Sequence, residues 1–149
     1  MNYCDTSGLV KLRVDEYDSE QFRSLVSADS SDEITSSITS TELLCVLLRK
    51  EREALIAPGS GWELFRRFQA ECDSGLLSLI PYNRHVVREV ERLGRLAYGQ
   101  PRPILIRSLD LIHVASAKVG GADAIVTTDK RLATLARVLQ IPVIPEPVQ

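Results

Sequence analysis

Four acidic residues, Asp5, Glu42, Asp110 and Asp129, recur along the chain, each after a short apolar run or at the head of an expected helix. A single parallel sheet would bring all four to one edge, because sites in open α/β sheets form beyond the carboxyl ends of the strands. Two carboxylates about 5 Å apart repel by roughly 3 kcal/mol at an effective dielectric near 20. Four in one cleft must raise their own pKa values or recruit a cation. Oxygen-only ligands suit Mg2+ or Mn2+ better than zinc. An ion held this way orients a phosphodiester and acidifies an attacking water. Each acid also has a purely structural use. Thr39-x-x-Glu42 has the form of a capping box, Asp129 before Lys130 can cap a helix, Asp110 suits the positive end of a helix dipole, and Asp5 can cap the turn through Ser7 and Gly8. These uses are compatible with a shared site, since helix N-termini gather at the same edge.

The elements that must position these residues alternate. Asn2 to Asp5 is a very short strand, followed by an apolar, then amphipathic stretch to Arg13. Tyr17 to Val26 is expected as a helix through Tyr17, Phe22, Leu25 and Val26, and Ala28 to Glu33 as a loop. Ile34 to Ile38 is a strand by its β-branched content. A helix starts at Thr39, with Leu43, Leu44, Val46, Leu47 and Leu48 forming a wide apolar face, and ends before Pro58-Gly59-Ser60-Gly61. Trp62 to Cys72 is a helix, Leu76 to Ile80 a strand, and Arg84 to Tyr98 a helix with Val86, Val87, Val90, Leu93 and Ala97 inward. After the loop Gly99 to Pro103, a helix from Leu109 to Val119 stops at Gly120-Gly121. Ala124 to Thr127 is a strand, Lys130 to Leu139 a helix, and Ile141 to Ile144 a last short strand. This order predicts an α/β fold, a single three-layer α/β/α domain over residues 1–149 with a central parallel sheet.

Bulk composition narrows the class. Hydrophobic residues make up 44% and charged residues 26% of 149, as in globular proteins rather than disordered ones. No run approaches the ~20 apolar residues of a membrane helix, and the start has no signal-peptide pattern. Three widely spaced cysteines, Cys4, Cys45 and Cys72, are expected as reduced packing residues of a cytoplasmic protein. The net charge of −2 argues against a protein that coats nucleic acid. It leaves room for a nuclease, whose bound ion and local arginines supply positive potential.

At the four acids the chain resembles the PIN domain, and within it the VapC-type toxins of bacterial toxin–antitoxin pairs. The resemblance rests on Tyr3 to Leu12 (YCDTSGLVKL), Ser37 to Leu43 (SITSTEL), Leu109 to Ala117 (LDLIHVASA) and Ala122 to Leu132 (ADAIVTTDKRL), which fall in the family's order. It implies a metal-dependent endoribonuclease in which Asp5, Glu42, Asp110 and Asp129 hold Mg2+ or Mn2+, supported by hydrogen bonds from Thr6, Ser7 and Thr127. It further implies RNA as substrate, products with 5′-phosphate and 3′-hydroxyl ends, and a homodimer neutralised by a small antitoxin whose C-terminal segment fills the cleft. Because all four acidic positions are filled, nothing marks a degenerate member.

Other residues have weaker signals. His113 lies one helical turn after Asp110 and is expected to pack beside the site rather than bind metal; His85 reads as surface. Arg88, Arg92 and Arg95 form a stripe accompanied by Glu89 and Glu91, a solvated helix face. Arg102 and Arg107 flank the approach to Asp110 and are the better candidates for RNA contact. Trp62 and Phe65 are expected in the core or a dimer contact rather than as base-stacking platforms, and the Leu43 to Leu48 face is wide enough to continue into an interface. Two rivals remain. A receiver or aspartyl-phosphate enzyme would want a second Asp where Ser7 stands, or paired early acids with a late lysine. The other is a catalytically inactive PIN-like scaffold that binds RNA or protein without cutting.

Overall fold

Five short strands carry the sheet, and the computed structural model describes residues 1–27 and 32–146. The order is β1 (Asn2–Cys4), α1 (Thr6–Arg13), α2 (Ser19–Ser27), β2 (Glu33–Ser36), α3 (Thr39–Arg52), α4 (Ser60–Ser74), β3 (Leu77–Ile80), α5 (Arg84–Tyr98), α6 (Ser108–Val119), β4 (Ala124–Val126), α7 (Lys130–Val138) and β5 (Val143–Ile144). All four pairings are parallel and the strands lie in the order β3-β2-β1-β4-β5. Chain order therefore reverses between β1 and β4, which is where open α/β sheets leave a crevice.

Successive strand residues point to opposite faces, and the core divides accordingly. Tyr3 and Ile125 pack with Val86, Leu93, Val114, Leu132 and Leu135 beneath α5, α6 and α7. Cys4 and Val126 pack with Leu9, Phe22, Leu43, Leu47 and Phe68 beneath α1 to α4. Helices thus cover both faces of a parallel sheet, the three-layer α/β/α arrangement. Among the described residues, no helix is long and apolar enough to cross a membrane.

Several local expectations change. Tyr17 is fully exposed and precedes α2, which starts at Ser19, and Leu25 faces solvent. The Ser19 hydroxyl bonds the Val14 carbonyl and accepts from the Glu16 amide, so the turn is fixed by a polar residue instead of the tyrosine. Residues 28–31 of the expected loop lie outside the described residues, and Glu33 belongs to β2. β2 ends at Ser36, not Ile38, because the Ser36 and Ser37 hydroxyls accept backbone amides from Ile38 and Tyr82 and turn the chain. Val87 points out of α5 rather than in. Cys45 is exposed, so the packing role expected of the cysteines applies to Cys4 and, in part, Cys72; all three are free thiols. Trp62 is half exposed, edge-on to buried Phe65 with ring centroids 6.3 Å apart.

Candidate active site

Sheet register brings the first acid to its place. Cys4 pairs with Val126, so Asp5 and Thr127 leave the two central strands side by side. The Asp5 amide donates to the Val126 carbonyl at 3.2 Å, and the Thr127 hydroxyl donates to Asp5 Oδ2 at 2.6 Å. Asp5 also caps α1, accepting from the Gly8 amide at 2.7 Å. Ser7 Oγ donates to its two oxygens at 2.8 and 3.0 Å. Buried at 3% exposure, this carboxyl is pushed above its ordinary pKa. Desolvation causes the rise, and His113, Thr127, Gly8 and Ser7 oppose it incompletely.

Glu42 reaches the same place by failing to cap its own helix. The residue before α3 is Ile38, with no side-chain cap, and the Thr39 hydroxyl is paired with Thr35 Oγ1 at 2.8 Å. The expected capping box is therefore absent. Glu42 instead accepts from Thr6 Oγ1 at 2.9 Å and from His113 Nε2 at 2.5 Å. Burial acts to raise its pKa, but His113, Thr6 and the more distant Arg107 outweigh that and hold it below the ordinary value. A carboxylate only accepts, so Nε2–H of His113 is the donor, and Nδ1 on the other side of the ring pairs with the Tyr3 hydroxyl at 2.6 Å. Burial first, and the Asp5 charge second, raise the Tyr3 phenol well above its usual range, which keeps it a donor. His113 does pack beside the site, as its spacing suggested, and it also fixes Glu42.

Asp110 stands in the first turn of α6 and Asp129 at the N-cap of α7, where it accepts from the Arg131 and Leu132 amides, both at 2.9 Å. One guanidinium joins them: Arg107 Nε donates to Asp110 Oδ2 at 2.7 Å, and Nη2 to Asp129 Oδ2 at 3.1 Å. The Arg107 side chain is 66% exposed, against 11% for Asp110.

All four acids line one pocket of about 440 Å³ with Thr6, Ser7, Arg107, His113 and Thr128. Its far wall is Val10 and Lys11 from α1 and Val46 and Lys50 from α3, with Glu16 between the lysines. Glu16 accepts from Lys11 at 2.8 Å and from Lys50. Glu16 and Lys50 were not singled out in the sequence, and Val46 was expected only in an apolar face. The stripe Glu42, Val46, Lys50 at i, i+4, i+8 was the available signal. Arg102 is exposed and does not line the pocket.

The donor set, four carboxylates with hydroxyls behind them, fits a hard divalent cation in kind. Among the described residues, no three Asp, Glu, His or Cys side chains converge closely enough to hold an ion as they stand. Arg107 supplies the counter-charge at two of the four.

Residues 3–138 match the model of the PIN domain, and the chain belongs to that family. Its fold is similar to a chain in the structure of FitAB bound to an IR36 DNA fragment, with a TM-score of 0.68 and 20% identity over 97% of this chain and 94% of that one. It is also similar to a chain of a toxin–antitoxin complex from Klebsiella pneumoniae, with a TM-score of 0.64 and 16% identity over 99% and 100%. FitAcB from Neisseria gonorrhoeae gives a TM-score of 0.59 and 19% identity over 96% of each chain. At these identities the likeness is one of fold. No curated protein matches the chain.

Proposed function

We propose that the protein is a Mg2+- or Mn2+-dependent endoribonuclease, the VapC-type toxin of a toxin–antitoxin pair. The observation that carries this reading is the pocket itself: Asp5, Glu42, Asp110 and Asp129 come from four separate stretches of chain and face one cavity at the sheet's switch point. A structural neighbour that is a toxin–antitoxin complex supports the biological context.

When bound, the ion would stabilise charge on the phosphoryl oxygens and acidify the attacking water. Asp5, Glu42, Asp110 and Asp129 would hold it. Thr127, Ser7 and the Gly8 amide fix both oxygens of Asp5, and Thr6 with His113 fixes Glu42. Such support keeps acidic ligands oriented before substrate arrives. The cations that line the pocket, Arg107, Lys11 and Lys50, would meet phosphates on either side of the scissile one. A small antitoxin would fill the same pocket. Exposed Val87, Tyr98, Leu105 and Leu109 on and between α5 and α6 support a homodimer contact.

The test is cleavage of total cellular RNA by the purified protein with Mn2+ and with chelator. Metal-dependent cleavage leaving 5′-phosphates supports the reading; RNA intact at every metal concentration removes it. A second reading, a PIN scaffold that binds without cutting, is favoured by the absence of three converged ligands among the described residues. It predicts RNA binding in the same assay with no cleavage.

A further inference from the structure

A phosphate contact alone does not explain why Arg107 is paired with two of the site's acids. Its guanidinium spans the two site acids that come from different helix N-termini, taking Oδ2 of Asp110 through Nε and Oδ2 of Asp129 through Nη2. It does so from the mouth of the pocket, mostly in solvent, while both carboxylates sit deeper. Asp110 and Asp129 would need those same oxygens to help hold a divalent cation. A planar fork of donors and a small divalent cation therefore compete for one position.

We propose that Arg107 is a built-in counter-ion, a latch across Asp110 and Asp129 that a divalent cation must displace, and whose release frees a guanidinium at the pocket mouth for the RNA phosphodiester. The last clause rests on the ribonuclease reading; the competition rests on the side chains alone. Without a counter-charge the four carboxylates repel, so the latch keeps the ion-free site folded and closed. Once displaced, the exposed stem can swing without moving the backbone, since its main chain is held by the Leu111 amide donating to the Arg107 carbonyl at 2.9 Å.

The experiment is calorimetric titration of Mn2+ alone into the wild type, Arg107→Gln and Arg107→Lys, with RNA cleavage at saturating Mn2+ measured on the same preparations. Exposed ion pairs are individually weak, so losing two should tighten Mn2+ binding by roughly two- to thirtyfold in Arg107→Gln. Arg107→Lys keeps the charge but not the fork. The latch predicts that it also tightens Mn2+, whereas a general field effect leaves it at the wild-type value. At saturating metal, Arg107→Gln should raise KM for RNA. Mn2+ affinity unchanged or weaker in both variants, in a wild type that cleaves RNA, overturns the latch and leaves the nuclease standing. Mn2+ binding by none of the three proteins overturns both.

Discussion

At the scale of single residues, Asp5 carries the clearest signs. Its carboxyl is buried and raised, so in the ion-free protein it contributes stability that is full below the ordinary aspartate range, near 3.9, and is lost as pH rises through the elevated folded value. Asn can keep the same contacts, because the Ser7 and Thr127 hydroxyls can accept as well as donate. Asp5→Asn should therefore abolish cleavage while unfolding, at neutral pH with chelator, at the wild-type temperature or above it. Adding Mn2+ should reverse that order by stabilising only the wild type; thermal melts across pH with and without Mn2+ check both statements. Tyr3→Phe addresses the other acid. It strands His113 Nδ1 in the core, which costs about 1–3 kcal/mol, and it loosens the ring that aims Glu42. Slower cleavage with the Mn2+ stoichiometry unchanged is the expected result. Asp5 and Asp129 were legible from sequence because a strand end fixes where they emerge. Glu42 was legible in position but not in aim. The local option, a capping box with Thr39, is lost because Ile38 holds the N-cap position and the Thr39 hydroxyl pairs with Thr35 at the end of the preceding strand.

At the scale of elements, the close approach of α1 to β4 holds the site together. A Cβ on Gly8 would lie 2.4 Å from the Val126 carbonyl oxygen and 3.0 Å from its carbon, both backbone atoms that cannot yield. Gly8→Ala must push α1 off the sheet, carrying Thr6 and Ser7 away from Glu42 and Asp5. A loss of about 1–3 kcal/mol and loss of cleavage should appear together. Gly94, in the middle of α5, is the contrast. There a Cβ meets only Leu111 Cδ2 at 3.6 Å, an ordinary contact, so Gly94→Ala should stabilise by about 0.5–1 kcal/mol without touching activity. Denaturant melts of the two variants side by side test whether the glycines have these opposite roles. Long periodic helices such as α3 and α5 were readable from their apolar spacing. The ends of β2 and the start of α2 were not, since serine hydroxyls bonding backbone groups set them and no apolar period records such bonds.

At the scale of the whole molecule, the net charge is −2, so any attraction for RNA must come from where cations sit and not from their number. Sequence could not supply this map. Lys11 and Lys50 lie on different helices and look like solvated faces until the packing of α1 against α3 sets both in one wall with Glu16. Eight residues of helix separate Glu42 from Lys50, about 12 Å along the axis, with Val10 and Val46 lining the pocket between. A single strand that lays its reacting phosphate at the acids would cross this apolar stretch and bring a further phosphate to the lysines. A strand leaving past α7 would instead meet Lys130 and Arg137, which line a separate groove beside Asp129. Salt dependence distinguishes the two paths, since each neutralised phosphate of a single strand contributes about 0.7 to the slope of log affinity against log salt. With Asp5→Asn as background to prevent cutting, Lys50→Gln should lower that slope by about 0.7 if RNA runs along α3. Glu16→Gln, which removes the lysines' shared partner, should tighten binding at low salt. A slope unchanged in Lys50→Gln but reduced in Arg137→Gln would place the strand along α7.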